Sequence, residues 1–273
     1  MIDLHLHTTA SDGTLEPAVL VSHAAAAGLS VIAITDHDTI GGLAEARTAA
    51  DTYGLRLVNG VEITAIEGVR DVHMLGYFLD AADTTLAAFL ESQRVDRVRR
   101  VREMGERLAA LGFPIDGDAL LASAAATPGR SIGRPQIADA LVAAGHACDR
   151  NDAFDRLLGK DRPAFVPRRG PAPEDVIGIV AQAGGVTSLA HPGLTAVDAI
   201  IPRLAAAGLQ ALEVRHSDHD EEREQHYRAL AVRHGLAVSG GSDFHGPVSH
   251  RINTLGVVTL PPADFAALEA RLP

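Results

Sequence analysis

Short apolar runs alternate with helical patterns along most of the chain. Met1 to Leu6 reads as a buried strand, Pro17 to Ala27 as an Ala-rich helix closed by Gly28, and Val31 to Thr35 as the next strand. A second unit follows at once, with a helix from Gly41 to Tyr53 ended by Gly54, a strand from Leu55 to Ile63 and another from Val72 to Phe78. Strands alternating with helices at this spacing predict a mainly parallel sheet or a barrel.

From about Asp83 the texture changes. A long helical pattern runs through Leu111, containing the Arg-rich stretch Arg94 to Arg107, and shorter helix-like pieces continue to about Leu158. With strand signals weak throughout, residues 83–162 read as an all-helical insertion in a barrel built from 1–82 and 163–273. Alternation resumes with strand Ala164–Val166, helix Pro173–Ala183 ended by Gly184 and Gly185, and strand Val186–Ala190. Helix Val197–Ala207, strand Ala211–Val214, helix Glu221–His234, strand Ala237–Ser239 and a final strand Thr254–Thr259 complete the expected order.

At 273 residues the chain suffices for one large α/β domain with an insertion. Hydrophobic residues make up 47% of it but never form a run long enough to span a bilayer, and the first residues show no secretory pattern. The expectation is a soluble cytoplasmic protein without a membrane partner, of unknown oligomeric state. Its one cysteine, Cys148, permits neither an internal disulfide nor a zinc–thiolate cluster, so any metal must be held by nitrogen and oxygen. A formal charge of −11 argues against binding long duplex nucleic acid. Carboxylates gathered around divalent cations still present a positive site to a phosphate.

The 13 histidines show where such a site lies. His5 and His7, Asp36 and His37, Glu62, His73, His191, Asp243 and His245 all fall within or just after predicted strands, and strand ends on one rim of an α/β barrel converge. His5 and His7, one residue apart, point to the same face of their strand. Alone, that pair reads more readily as exposed or hydrogen-bonded histidines. Asp12 in SerAspGly and the second pair, Asp243 and His245, favour a metal site. Thr35, Asp36, His37 and Asp38 end an apolar strand in ionisable groups, which is costly unless they are paired or bound to metal. His73 in isolation reads as a core histidine, and His191 precedes Pro192 at a strand end.

In order along the chain, HisLeuHis with SerAspGly, ThrAspHis, GlyValGlu, the His73 strand, AlaHisPro and GlySerAspPheHis resemble the motifs of the PHP (polymerase and histidinol phosphatase) family. The resemblance covers residues 5–245 and implies a distorted seven-stranded (β/α)7 barrel with a trinuclear metal site. It assigns His5, His7, Glu62 and Asp243 to one ion, Glu62, His73 and His191 to a second, and Asp12, His37 and His245 to a third. Two or three divalent ions, Mn, Fe or Zn, suit this donor set. Between such ions a bridging water, held by Glu62, Asp243 and His191, is the expected nucleophile for phosphate ester hydrolysis, with His216 a candidate to assist the leaving group. No P-loop or nucleophile elbow competes.

Substrate choice rests on the insertion. GlyArgSerIleGlyArgProGlnIleAla places Arg130 and Arg134 near the start of a helix running through Leu141, where a second phosphate or a carboxylate is readily held. This segment resembles the insertion of the subgroup containing nucleoside 3′,5′-bisphosphate phosphatases and 5′-to-3′ exoribonucleases. A His often stands there in place of Gln136, which leaves a ring or base contact open. Where the insertion rejoins the barrel, Arg168 is chosen over Arg162 and Arg169 as a phosphate contact. His216 also lines the expected pocket, whereas His219 reads as solvent-facing, and His23, His146, His226, His234 and His250 as surface residues. Glu91, Asp96, Glu103 and Glu106, interspersed in the Arg-rich helix, give it the pattern of a solvated face. The expected substrate is a small nucleotide or short 5′-phosphorylated oligonucleotide. A histidinol-phosphate phosphatase is the enzymatic alternative. A noncatalytic metal-binding or polymerase-associated module is the alternative of another class.

Overall fold

The computed structural model describes residues 1–127, 129–247 and 254–273, and His250 lies outside them. Strand β1 (Ile2–Leu6) leads through α1 (Pro17–Ala26) to β2 (Val31–Ile34) and through α2 (Leu43–Tyr53) to β3 (Arg56–Glu67), which pairs in a hairpin with β4 (Arg70–Tyr77). A helical segment follows: α3 (Thr84–Ala110), α4 (Gly117–Ala126), α5 (Arg134–Ala143) and α6 (Arg150–Ala153), the last continuing as a π-helical turn over Phe154–Leu158. Next come α7 (Pro173–Gln182), β5 (Val186–Leu189), the single turn α8 (Pro192–Thr195), α9 (Ile201–Ala206), β6 (Ala211–Arg215), α10 (Glu221–Arg233), β7 (Ala237–Gly240) and α11 (Pro262–Glu269). No helix among the described residues is long and apolar enough to cross a membrane.

The seven strands form one sheet in the order β1 to β7. β1 to β3 are parallel, as are β5 to β7, while β4 runs against both of its neighbours. Beyond β7, Phe244 bridges Leu6 of β1, which brings the sheet almost to closure. This is the seven-stranded α/β barrel expected, and the reversal of β4 matters for its chemistry. Parallel strands bring their ends to one rim, so an antiparallel strand must bring its beginning there. His73, early in β4 and opposite Thr64, does so.

Two apolar clusters pack the barrel and its helices. A third, including Val101, Met104, Leu108, Ile137, Leu141 and Leu157, belongs to the helical segment. Two expected strands are absent. Ala164 and Val166 alternate with Phe165 as a strand would, but they pack into the helical cluster. Their backbone is satisfied without a ladder: Ala164 N–H donates to Leu157 O at 3.0 Å, Arg100 Nε donates to Val166 O at 3.1 Å, and Arg107 donates to Phe165 O. Thr254–Thr259 forms turns, because Gly256 takes a left-handed φ of 82° that a strand does not use. The expected helix over 197–207 is shortened to a 3₁₀ turn at 198–200 followed by α9, with Pro202 at the helix start, where its missing N–H costs nothing.

Candidate metal centre

The barrel rim gathers ionisable side chains around Glu62, which is almost wholly buried. Its Oε1 lies 2.8 Å from His73 Nδ1 and 3.0 Å from His191 Nε2. Its Oε2 lies 3.2 Å from His5 Nε2, 3.2 Å from His7 Nε2 and 3.1 Å from His37 Nδ1. Asp243 Oδ1 is 3.4 Å from His5 Nε2 and 3.2 Å from His7 Nε2. Asp12 completes the arc, 3.4 Å from His245 Nε2 and 3.7 Å from His37 Nε2. The sets His5/His7/Glu62/Asp243, His7/Asp12/His37/His245 and His37/Glu62/His73 each have their donor atoms within 4.8 Å of one another. All nine residues expected as ligands therefore meet at one place, with His191 joined to the cluster through Glu62.

Local structure explains how they are held. In β1 and just past its end the odd positions Asp3, His5 and His7 bear the ionisable groups, while Ile2, Leu4 and Leu6 enter the apolar clusters. Gly241 follows β7 against this strand, and a Cβ there would lie 2.3 Å from His5 N, so only glycine permits the approach. Asp36 binds the 8–12 turn, accepting from Thr8 N–H at 2.7 Å and from Ser11 Oγ at 2.6 Å, and thereby places Asp12. Asp38, His191 and Asp243 all have positive φ, a strained state for residues with a Cβ and one concentrated at functional sites.

Two buried carboxylates of this site escaped the sequence reading. Glu213 Oε1 lies 2.8 Å from His5 Nδ1, and its Oε2 accepts the His191 N–H at 2.7 Å. It orients one ring and one backbone turn together, the role that carboxylates play behind metal-binding histidines. Asp3 Oδ1 accepts from the N–H groups of His5 at 3.2 Å and Ser242 at 2.9 Å. The alternation Asp3-x-His5-x-His7 was the available signal for Asp3. Glu213, a lone acid within an apolar strand, was the signal for the other. Burial raises the Asp3 carboxyl to about 6.

The charges ask for a cation. Burial opposes a charged His5, yet Glu213 and Glu62 draw its pKa up to about 10. Burial would raise the Glu62 carboxyl, but the imidazoles around it, the charged His5 among them, hold it well below the usual range. Burial likewise lowers His37 well below its ordinary value and His191 to about 3, so these rings favour the neutral form that a metal requires. Neither ring nitrogen of the buried His7 makes an aligned hydrogen bond among the described residues, although two carboxylate oxygens stand 3.2 Å from its Nε2. Imidazole nitrogens facing carboxylates, with no thiolate present, fit divalent ions with nitrogen and oxygen ligands.

Facing this rim across a cavity of about 200 Å³ stand four arginines, Arg97, Arg100, Arg134 and Arg168. Asp38 ties two of them, with Arg97 Nε at 2.6 Å and Arg168 Nη1 at 2.9 Å, and is held far below the carboxylate range, burial being outweighed by those guanidiniums. Arg134 lies 3.5 Å from Asp71. Burial and the neighbouring Arg168 and Arg134 lower Arg100 to about 9. The solvated reading of the Arg-rich helix therefore fails on one face: Gln93, Arg97, Arg100 and Met104, spaced at the helical period, are buried, Met104 in the helical cluster. It holds for Arg99, which pairs with Asp96 and Glu103.

Other expected contacts lie elsewhere. Arg130 donates to Ser123 Oγ and lines a separate groove between α3 and α4. Gln136 is engaged at both ends, accepting from Gly133 N–H and donating to Ser11 O, each at 2.8 Å. His216 is buried behind Asp243, its Nε2 at 3.2 Å from Asp243 Oδ2, and does not line the cavity. His219 is buried rather than solvent-facing, pinned by Val214 O at 2.8 Å and accepting the Gly193 N–H at 3.3 Å. Arg162 and Arg169 are exposed.

The chain is similar to known proteins. Residues 3–125 match the PHP domain. The chain is 37% identical to the 3′,5′-nucleoside bisphosphate phosphatase of Chromobacterium violaceum over 281 residues, 99% of this chain and 97% of that protein. It is 36% identical to a 5′-3′ exoribonuclease of Haemophilus influenzae over 252 residues, 90% of each chain. Among solved structures, a Bifidobacterium adolescentis chain assigned to the metal-dependent phosphoesterases superposes with a TM-score of 0.90 at 37% identity, covering 100% of this chain and 96% of its own.

Proposed function

Because the chain belongs to the PHP family and is a metal-dependent phosphoesterase, we propose that it removes the 3′-phosphate of nucleoside 3′,5′-bisphosphates and trims short 5′-phosphorylated RNA from its 5′ end. The relatives named above support the substrate class. The observation that carries the reading is Arg100, which lines a cavity whose opposite wall is the acid–imidazole cluster and whose buried Nη2 has no hydrogen-bond partner among the described residues. An unpartnered buried donor is costly, and a phosphate oxygen satisfies it. A substrate with two phosphates spans the cavity, its reacting phosphate at the cluster and its other phosphate on the arginines.

In this reading His5, His7, Glu62 and Asp243 hold one ion, Glu62, His73 and His191 a second, and Asp12, His37 and His245 a third, with Mn, Fe or Zn all suited to the donors. Bound divalent ions acidify water and neutralise charge developing on a phosphoryl group. The chain's own residues supply the geometry. Asp38 fixes Arg97 and Arg168, and Asp71 steadies Arg134, so the guanidiniums are set before the substrate arrives. The helical segment 83–162 serves as a substrate cap over the barrel formed by 1–82 and 163–273.

The test compares phosphate release from adenosine 3′,5′-bisphosphate with mononucleotide release from a 5′-phosphorylated oligoribonucleotide, each with and without added divalent metal. Metal-dependent turnover of either is expected. Activity on neither sinks the proposal.

A further inference from the structure

Beside the metal cavity lies a second cleft of about 420 Å³, between the β3–β4 hairpin and the segment that follows the helices. Asp71 and Arg168 line both cavities, so the two are adjacent. The walls of the second differ in character: Ile66, Val69, Phe165 and Pro167 give it apolar surface, with Lys160, the chain's only lysine, at its edge.

Phe165 is the unusual member. It is half-buried, yet it belongs to none of the three apolar clusters. Its backbone is fixed on both sides, the N–H donating to Arg162 O at 3.0 Å and the carbonyl accepting from Arg107. Its ring is 5.7 Å from the Arg134 guanidinium, whose other aromatic neighbour is Phe154 at 5.6 Å. A rigidly held aromatic ring outside the core, next to arginines placed for phosphate, is how proteins present a stacking surface to a base. The alternative, that Phe165 only packs against Arg134, leaves unexplained why its ring lines a cleft with apolar walls.

We infer that this cleft binds the nucleobase of the substrate, stacked on Phe165, while Asp71 at the junction accepts hydrogen bonds from the sugar. The inference rests on the nucleotide reading above and names what that reading lacks, the residue that distinguishes a nucleotide from a bare sugar phosphate. Stacking is tolerant of base identity, so both purines and pyrimidines are accepted, with purines favoured by their larger face.

The experiment uses the metal-loaded full-length protein and two substrates, adenosine 3′,5′-bisphosphate and the same sugar bisphosphate with hydrogen in place of the base. In the wild type the nucleotide has the lower KM. Phe165→Leu, which keeps bulk without a π-face, raises the nucleotide KM by about tenfold relative to the base-free KM and thereby removes the preference. Phe165→Tyr restores it. Calorimetric titration of the metal-free protein with both compounds gives the same ranking apart from turnover. Equal KM values for the two substrates in the wild type overturn the inference while leaving the phosphatase reading intact. An equal loss on both substrates in Phe165→Leu also overturns it, because Phe165 then acts only through Arg134. Turnover of neither substrate by the wild type removes the underlying reading and this inference with it.

Discussion

On the barrel wall of the cavity, five imidazoles surround one carboxylate. On the helical wall, four guanidiniums share two, Asp38 and Asp71. The first arrangement places lone pairs and negative charge toward a common centre, and cations satisfy it. The second is buried and crowds like charges, which lowers the pKa of Arg100 and leaves one of its nitrogens unpartnered among the described residues, and an anion suits it. In the proposed function a phosphate ester with its metals completes both walls. The barrel wall is built from strand ends that the sheet fixes. The helical wall depends on one face of α3 docking correctly.

The contrast is sharpest at Glu62. Glu62→Gln removes the charge that joins the proposed ion sites while leaving volume unchanged, and turnover falls by at least about a thousandfold, several kcal/mol of lost transition-state stabilisation. Elemental analysis of the purified variant shows metal loss in parallel. A variant that keeps its metal and its rate breaks the assignment of the barrel wall as the reacting side.

The two walls also differed in how plainly the sequence announced them. His5, His7, His37, Glu62, His191 and Asp243 stand where short apolar runs end, and an ionisable group directly after a buried strand is a local signal that needs no tertiary knowledge. Arg97 and Arg100 carry no such mark. They lie in a 27-residue helix among acids that do pair with other arginines, and only the packing of α3 on the barrel decides which face is buried. Glu213 lay inside a readable strand, but its target, the ring of His5, is 208 residues away. Ala164–Val166 failed for a related reason, since side chains of α3 cap carbonyls that a neighbouring strand was expected to bind.

Glu213→Gln tests whether the barrel wall depends on support behind the ligands. Metal affinity falls by about ten- to a hundredfold, the usual range for a lost partner of a ligating histidine, and saturating metal restores most of kcat. Metal titration of activity measures this. An unchanged affinity shows that β1 alone positions His5.

The smallest effects separate arginines that the sequence presents alike. Arg100 and Arg130 both lie in the helical segment, and both have a buried guanidinium nitrogen without a hydrogen-bond partner among the described residues. Arg100 faces the metal cavity, whereas Arg130 faces a groove on the far wall and already donates to Ser123. Arg100→Met, which keeps the aliphatic length, raises KM for a nucleoside 3′,5′-bisphosphate by about tenfold through loss of a charge-assisted hydrogen bond. For a substrate with a single phosphate at the reacting position KM stays nearly constant, because no second anion reaches the helical wall. Arg130→Ala changes neither KM by more than about twofold, as expected of a side chain whose contacts lie outside the site. Steady-state kinetics on the two substrates decides it. If Arg130→Ala mimics Arg100→Met, the second phosphate passes toward the α3–α4 groove, and the helical wall extends further than the four arginines.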